Sequence, residues 1–373
     1  MVSALAADQV VGANQTLNLN PSAQAAASGG GVWALPGSAL TAVQAPLGML
    51  DLNDHRIGIS HTAYYEGTSL EVVAGSYVLD SASRIGVALT RFGADDIPWI
   101  KATDTLPADG EWNTLSIADY VLGVSFARRL PWHLSAAGSV NFLYRQLDQK
   151  GLGFRSDADL RWQPVPVWFV GGHLEGWSSS IARWESEQIE YSPPELYLAT
   201  GFHVAIPYLY GSLSGGYQSA GLLRAGNRAL ESDNAWLADT TLSRADSLGG
   251  KAWWDSPWSF VRDGRLGMEL AWDWGGAVRM GWQSLSTWDA WTVGAGVRLF
   301  GWMSVDYAFE RHPSLSGVHR ISLELRPWWR SASSKTVSRP EVVVPVSPID
   351  TTKSSQPPPV DNSSESGGKT WEE

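Results

Sequence analysis

The sequence contains no cysteine. That absence removes disulfide staples, thiolate chemistry and cysteine-ligated zinc, and it leaves no residue in this chain for a lipoprotein anchor. Long hydrophobic runs are also missing, since no apolar stretch reaches the roughly 18 residues of a spanning helix. A β-barrel stays open to such a chain, because barrel strands show only every second residue to lipid. Basic residues are the minority, 27 Lys and Arg against 38 Asp and Glu, and the net charge of −11 argues against a nucleic-acid partner. The seven histidines are scattered over separate segments, and no HExxH, GxSxG or phosphate-loop pattern occurs. The sequence therefore offers no catalytic residue, no metal site and no cofactor site, and the expected protein is not an enzyme. A serine and a histidine can still meet in space, but histidines such as His173 and His203 read more simply as lumen-filling side chains.

What the chain does have is 21 tryptophans beside 38 glycines. A soluble core seldom uses so many indoles, whereas lipid interfaces do. The clearest pattern runs from Trp291 to Arg326. Trp291, Val293, Ala295, Val297 and Leu299 share one parity, with Thr292, Gly294, Gly296 and Arg298 on the other. Met303, Val305, Tyr307 and Phe309 oppose Ser304, Asp306, Ala308 and Glu310, and Ile321, Leu323 and Leu325 oppose Arg320, Ser322, Glu324 and Arg326. Side chains of a strand alternate between faces, so these are three two-faced β-strands, long enough to cross a bilayer on a tilt. A soluble sandwich would turn the apolar face inward. An outer-membrane barrel turns it to lipid and lines its lumen with the polar face. A polar face of glycine and charges of both signs, with Trp291, Trp302 and Trp328 near strand ends, favours the barrel.

The runs GAGVRLF, SVDYAF and HRISLELR resemble the closing strands of the PorV/PorQ outer-membrane proteins, relatives of the FadL-type barrels. GISHTAYYEG (residues 58–67) is similar to that family's first strand, FGADDIP (92–98) to the extracellular end of its third, and YVLGVSFARR (120–129) to its fourth. Pro46, Leu47, Gly48 and Met49 stand where the family carries an Asn-Pro-Ala-Gly-Leu plug motif, but Ala45 replaces the asparagine and brings no side-chain hydrogen bond. The resemblance spans about residues 35–327. It implies an N-terminal plug, no catalysis, and a role beside the type IX secretion machinery or its cargo proteins. The more distant FadL relation implies passage of a hydrophobic small molecule.

Taken in order, residues 1–8 read as the end of a secretory signal, with Ala4-Leu5-Ala6 as a small-residue cleavage site; a plain ragged terminus is the alternative. Residues 9–54 form the expected plug. A disordered leader accounts equally for their polar start and for the small residues Ala23–Gly31, but poorly for the apolar VWALPGSALTAVQAPLGML that follows. Residues 55–327 hold the expected all-β, antiparallel up-and-down transmembrane barrel of about fourteen strands, an even number with both ends on one side. Short connections at 80–82, 128–132, 163–166, 206–207, 273–276 and 300–302 alternate with longer ones at 94–115, 178–194, 218–264, 284–290 and 311–318. Residues 328–373, rich in Ser and Pro, form an expected disordered periplasmic tail.

Two groups of side chains invite a functional reading. Arg155, Asp157, Asp159, Arg161, Arg298, Asp306, Glu310, Arg320, Glu324 and Arg326 fall on the inward parity, where they either line a polar conduit or brace the lumen and its plug. Trp236, Trp253, Trp254 and Trp258 crowd the longest loop, where they either dock a partner or fold over the barrel mouth. Outer-membrane lipid is the expected surrounding. Export of proteins to the cell surface is the leading expectation and FadL-like transport the alternative.

Overall fold

The computed structural model describes residues 9–11, 13–30, 37–99, 113–147, 149–178, 180–192, 194–219, 264–285, 288–311 and 317–327. A short strand β1 (Gln9–Val11) and a helix α1 (Ala23–Ala27) precede the main strands. These are β2 (Arg56–Ala63), β3 (Thr68–Val78), β4 (Ser83–Trp99), β5 (Asn113–Arg129), β6 (Leu134–Gln146), β7 (Lys150–Val165) and β8 (Trp168–Glu175). There follow β9 (Ser180–Trp184), β10 (Ile189–Ser192), β11 (Glu195–Ile206), β12 (Gly211–Gln218) and β13 (Arg265–Trp272). The last are β14 (Gly276–Leu285), β15 (Trp288–Leu299), β16 (Met303–Arg311) and β17 (Val318–Leu325).

Fourteen of these strands, β2 to β8 and β11 to β17, pair antiparallel in a ring. β8 joins β11 from Glu195↔Glu175 to Phe202↔Trp168, and β17 returns to β2 from His319↔Ala63 to Leu325↔Ile57. Closure leaves no strand edge for lipid to meet, which a membrane-spanning sheet requires.

Of the three remaining strands, β9 and β10 lie where the sequence suggested only loop, and β1 lies at the start of residues 9–54, where it suggested no strand. The stretch 178–194 contains β9 and β10, a hairpin. β7 is shared: Ala158–Trp162 pair with β8, while Gly151–Arg155 pair with β9. β1 then adds to β10 in parallel, Val10 opposite Glu190, so the first described residues are tied at the long-loop end. Likewise β4 and β5 continue into the stretch 94–115, pairing Ile97–Trp99 with Asn113–Leu115 past an irregularity at Ala94/Ile97. β14 and β15 together occupy most of 284–290.

The outer surface is apolar. Ile57, Ile59, Val73, Leu89, Leu122, Phe142, Leu160, Met280, Val293 and Ile321 all point outward and are exposed. Exposed aromatics crowd the short turns, with Trp132, Tyr208, Tyr210, Trp274, Phe300 and Trp302 forming one girdle. Tyr120, Tyr144, Trp177 and Trp291 lie toward the other end. A closed barrel with an apolar band between aromatic girdles is a bacterial outer-membrane protein, and its short turns mark the periplasmic end.

These turns are tight. At Asp80–Ser83 the amides of Ala82 and Ser83 donate to Asp80 at 2.6 and 2.8 Å and hold its carboxyl below the usual carboxylate range. Between β5 and β6, Trp132 (φ 58°) and His133 (φ 62°) both occupy the left-handed region. A side chain there costs roughly 1–2 kcal/mol. His133→Gly is therefore expected to stabilise the barrel by about 1 kcal/mol, read as a higher urea midpoint in detergent; an unchanged midpoint would mean that the turn carries no strain.

Candidate functional site: the lumen and its N-terminal segment

Residues 13–30 and 37–52 lie inside the ring, and β5 records their descent. Near the long-loop end the Thr16 hydroxyl donates to Asp119. Lower down the Ser125 hydroxyl donates to the carbonyl of Ala42 at 2.6 Å, and at the short-turn end the Arg129 guanidinium meets the carbonyl of Leu50. Other strands hold the same segment. Asn14 donates to Ser180 at 2.9 Å, Ser322 accepts from the amide of Ala23 at 2.8 Å, and Thr292 bridges the carbonyl of Ala27 and the amide of Gly29 at 2.9 and 3.0 Å. Glu324 accepts from the Ser38 hydroxyl and, at 2.8 Å, from the amide of Ala39. Each bond satisfies a backbone or side-chain group that lies away from bulk water.

Glycines on the inward parity mark where the segment presses on the wall. A Cβ on Gly123 would come within 2.5 Å of Val43, one on Gly86 within 2.8 Å of Ala42 and Met49, and one on Gly294 within 2.5 Å of Ala27. Ser22 caps α1 by accepting from Ala25, and the helix buries Ala23, Ala25, Ala26 and Ala27. The residues Ala23–Gly30, which a disordered leader would have explained, are thus packed.

Pro46, Leu47, Gly48 and Met49 are buried in a short 3₁₀ helix, Pro46–Asp51, packed on β4 to β7. Ala45 brings no side-chain cap, and its carbonyl accepts from the amide of Gly48 at 3.0 Å. Below it, Arg84 donates to the carbonyl of Leu52 at 3.0 Å, and Arg161 reaches Asp51 at 3.3 Å.

The inward charges form paired groups. Arg155 sits between Asp157 at 3.2 Å and Glu175 at 2.6 Å, and Asp159 bonds His173 at 2.6 Å. Asp306 shares Arg279 with Glu269, each at 2.6 Å, and Arg320 pairs with Glu310 at 2.7 Å. Glu324 faces Arg56 at 3.4 Å, and Arg326, just past β17, pairs with Asp54 at 2.8 Å. Arg298 is exposed near the short-turn end, with no ion pair among the described residues. His203 bonds Ser214 at 2.8 Å, and Glu269 stands opposite Ser214 on the next strand. Sequence reading singled out neither Arg279 nor Glu269, although both alternate with the lipid-facing Met280, Met268 and Leu270. The aromatics Trp236, Trp253, Trp254 and Trp258 lie outside the described residues, as do residues 1–8 and 328–373.

One sector of the lumen breaks the polar rule. On β3, β4 and β5 the inward residues Leu70, Val72, Ala88 and Val121 are apolar and buried. Leu40 and Val43 of the N-terminal segment pack against this sector, with Leu19 beside them. Between wall and segment lies a cavity of about 40 Å³, lined by these residues and by Leu17, Thr16, Gln44, Thr90, Gly123, Asn141 and Arg155. A water needs roughly 10–15 Å³ on this measure, so the space takes a few water-sized groups as it stands. Alternation alone pointed away from this sector, because a lumen is expected to be polar. The available signal was that β3 is apolar on both faces, with Leu70 and Val72 alternating with Val73 and Tyr77.

No protein-family model matches the chain, and no curated protein matches its sequence. Solved structures do resemble it in fold. The Pseudomonas putida toluene transporter TodX is 10% identical, with 81% of this chain and 96% of that one covered and a TM-score of 0.48. The Ralstonia pickettii toluene transporter TbuX is 12% identical, with 83% and 98% covered and a TM-score of 0.45. A Pseudomonas aeruginosa FadL homologue is 9% identical, with 86% and 100% covered and a TM-score of 0.44.

Proposed function

We propose that this barrel passes small hydrophobic molecules across the outer membrane without catalysis. Its N-terminal segment serves as a plug, and its inward charges serve as braces. The observation that carries the reading is the apolar sector formed by Leu70, Val72, Ala88 and Val121 against Leu40 and Val43. These aliphatic side chains form an apolar bed on which the N-terminal segment packs, and an apolar ligand that displaced part of the segment would meet a wall it can wet without stranding a polar group. The cavity is smaller than an aromatic ring requires, so entry moves the overlying residues Thr16–Leu19. The toluene transport named for TodX and TbuX belongs to those proteins; for this chain it suggests the probe.

Toluene uptake into outer-membrane vesicles is the direct test. Vesicles carrying the protein should fill faster than vesicles without it, and Val72→Glu, which sets a carboxylate among the aliphatics, should remove the difference. Equal filling with and without the protein would reject the proposal. The export role implied by the PorV/PorQ resemblance leans on the aromatic loop 218–264, of which only the ends are described, and no described feature favours it.

A further inference from the structure

Two residues that line the cavity carry a buried side-chain acceptor with no hydrogen-bond partner among the described residues. Asn141, on β6, is 1% exposed. Its Nδ2 donates to Asp157 Oδ2 at 3.3 Å. A carboxylate oxygen only accepts, so the amide cannot be turned round. Asn141 Oδ1 is thereby left buried without a partner. Gln44, on the N-terminal segment, repeats the arrangement from the opposite side. Its Nε2 donates to the carbonyls of Leu17 and Leu19 at 3.5 and 3.3 Å, and its Oε1 is buried without a partner. Both residues line the same cavity, otherwise walled mainly by aliphatic side chains. Buried acceptors are costly to leave unmade, and a site built this way favours a ligand that brings a donor.

The charges nearby narrow the ligand further. Arg155 also lines the cavity, but its Nε is held by Asp157 at 3.2 Å and its Nη1 by Glu175 at 2.6 Å and Asn18 at 2.7 Å. Two carboxylates against one guanidinium disfavour an anionic head. An ammonium head would have to shed its water among Leu40, Val43, Leu70 and Val72.

We infer that the ligand of this cavity is a small apolar molecule bearing an uncharged hydroxyl, which donates to Asn141 Oδ1 or Gln44 Oε1. This rests on the hydrophobic-passage reading and adds a chemical class to it. Phenol and toluene make the comparison, because a hydroxyl replaces a methyl of nearly the same size; benzoate and benzylamine supply the anionic and cationic heads.

The experiment is calorimetric titration of the full chain in detergent with each of the four compounds. Phenol is expected to bind about tenfold more tightly than toluene, and more tightly than benzoate or benzylamine. Whichever of Gln44→Met and Asn141→Leu deletes the acceptor in use should remove most of that preference while toluene still binds, and a preference that survives both would overturn the inference. Gln44→Met keeps the test open if the β6 variant does not fold, since it leaves the barrel wall untouched. Phenol binding no better than toluene would overturn the inference and assign the two acceptors to water, with the passage reading intact. Tightest binding of benzoate or benzylamine would overturn it equally. Binding of none of the four would remove the passage reading, and this inference with it.

Discussion

Arg320→Ala should destabilise the barrel by about 3–5 kcal/mol, the cost of stranding a buried charge. Arg320 is 1% exposed, on β17. It donates to Glu310 at 2.7 Å and to the Tyr64 hydroxyl at 2.7 Å, with its guanidinium 5.1 Å from the centre of the Tyr64 ring. Alanine leaves Glu310 with Gln283, at 2.9 Å, as its remaining described hydrogen-bond donor. It also uncouples the Tyr64 connection between β2 and β3 from the wall. The measurement is urea unfolding in detergent micelles. A second variant separates charge from packing: Arg320→Met combined with Glu310→Gln keeps most of the volume, removes both charges and should recover most of the loss. A single-variant loss under about 1 kcal/mol would mean that water reaches the pair and screens it.

The second large effect concerns conductance. Removing residues 13–52 should turn a closed barrel into an open pore, because a ring of fourteen strands is wider than its own side chains fill. Stepwise single-channel currents in a planar bilayer are expected from the shortened barrel and not from the full chain. Gly281→Leu tests the same point within the full-length chain. Gly281 faces the backbone of Ser28 and Gly29, so a side chain there has no flexible neighbour to push aside and must dislodge the segment after α1. Heat-dependent migration on a gel shows whether each variant has folded. A folded, shortened barrel with no conductance would reject the plug role.

How far these features could be read from sequence depends on what each residue faces. The barrel strands were legible because lipid and lumen demand opposite chemistry on alternate residues. Val293, Met280 and Ile321 can only be outward, and Thr292, Arg279 and Arg320 only inward. The hairpin of β9 and β10 gave no such signal. All four residues of β10 are half-buried, and its partner β1 lies far away in sequence. Helix α1 was hidden for a different reason. Alanine marks no helix face, so a run such as AQAAA carries no amphipathic pattern. It packs chiefly on β15 and β16, more than two hundred residues later, with Gly294 making room for Ala27 and with Gly267 and Gly281 making room for Ser28 and Gly29 just past the helix. The candidate site was legible only in part. Its charged residues follow from parity, but Asn141 and Gln44 stand out only when their amide groups are placed in three dimensions.

The joint between β17 and β2 unites the last and first strands of the ring, and it is also where the enclosed segment is fastened. Ser322 holds the amide of Ala23 and meets Ser60 across the joint at 2.8 Å, while Glu324, one pair further along, holds Ser38 and Ala39. The ring therefore seals on top of its own contents. Filling the lumen after the wall has closed would mean threading some forty residues into a closed hoop, so laying the segment in before the seam zips is the shorter route. The bonds of the N-terminal segment to β17 thus join the closing seam of the wall to the residues it encloses.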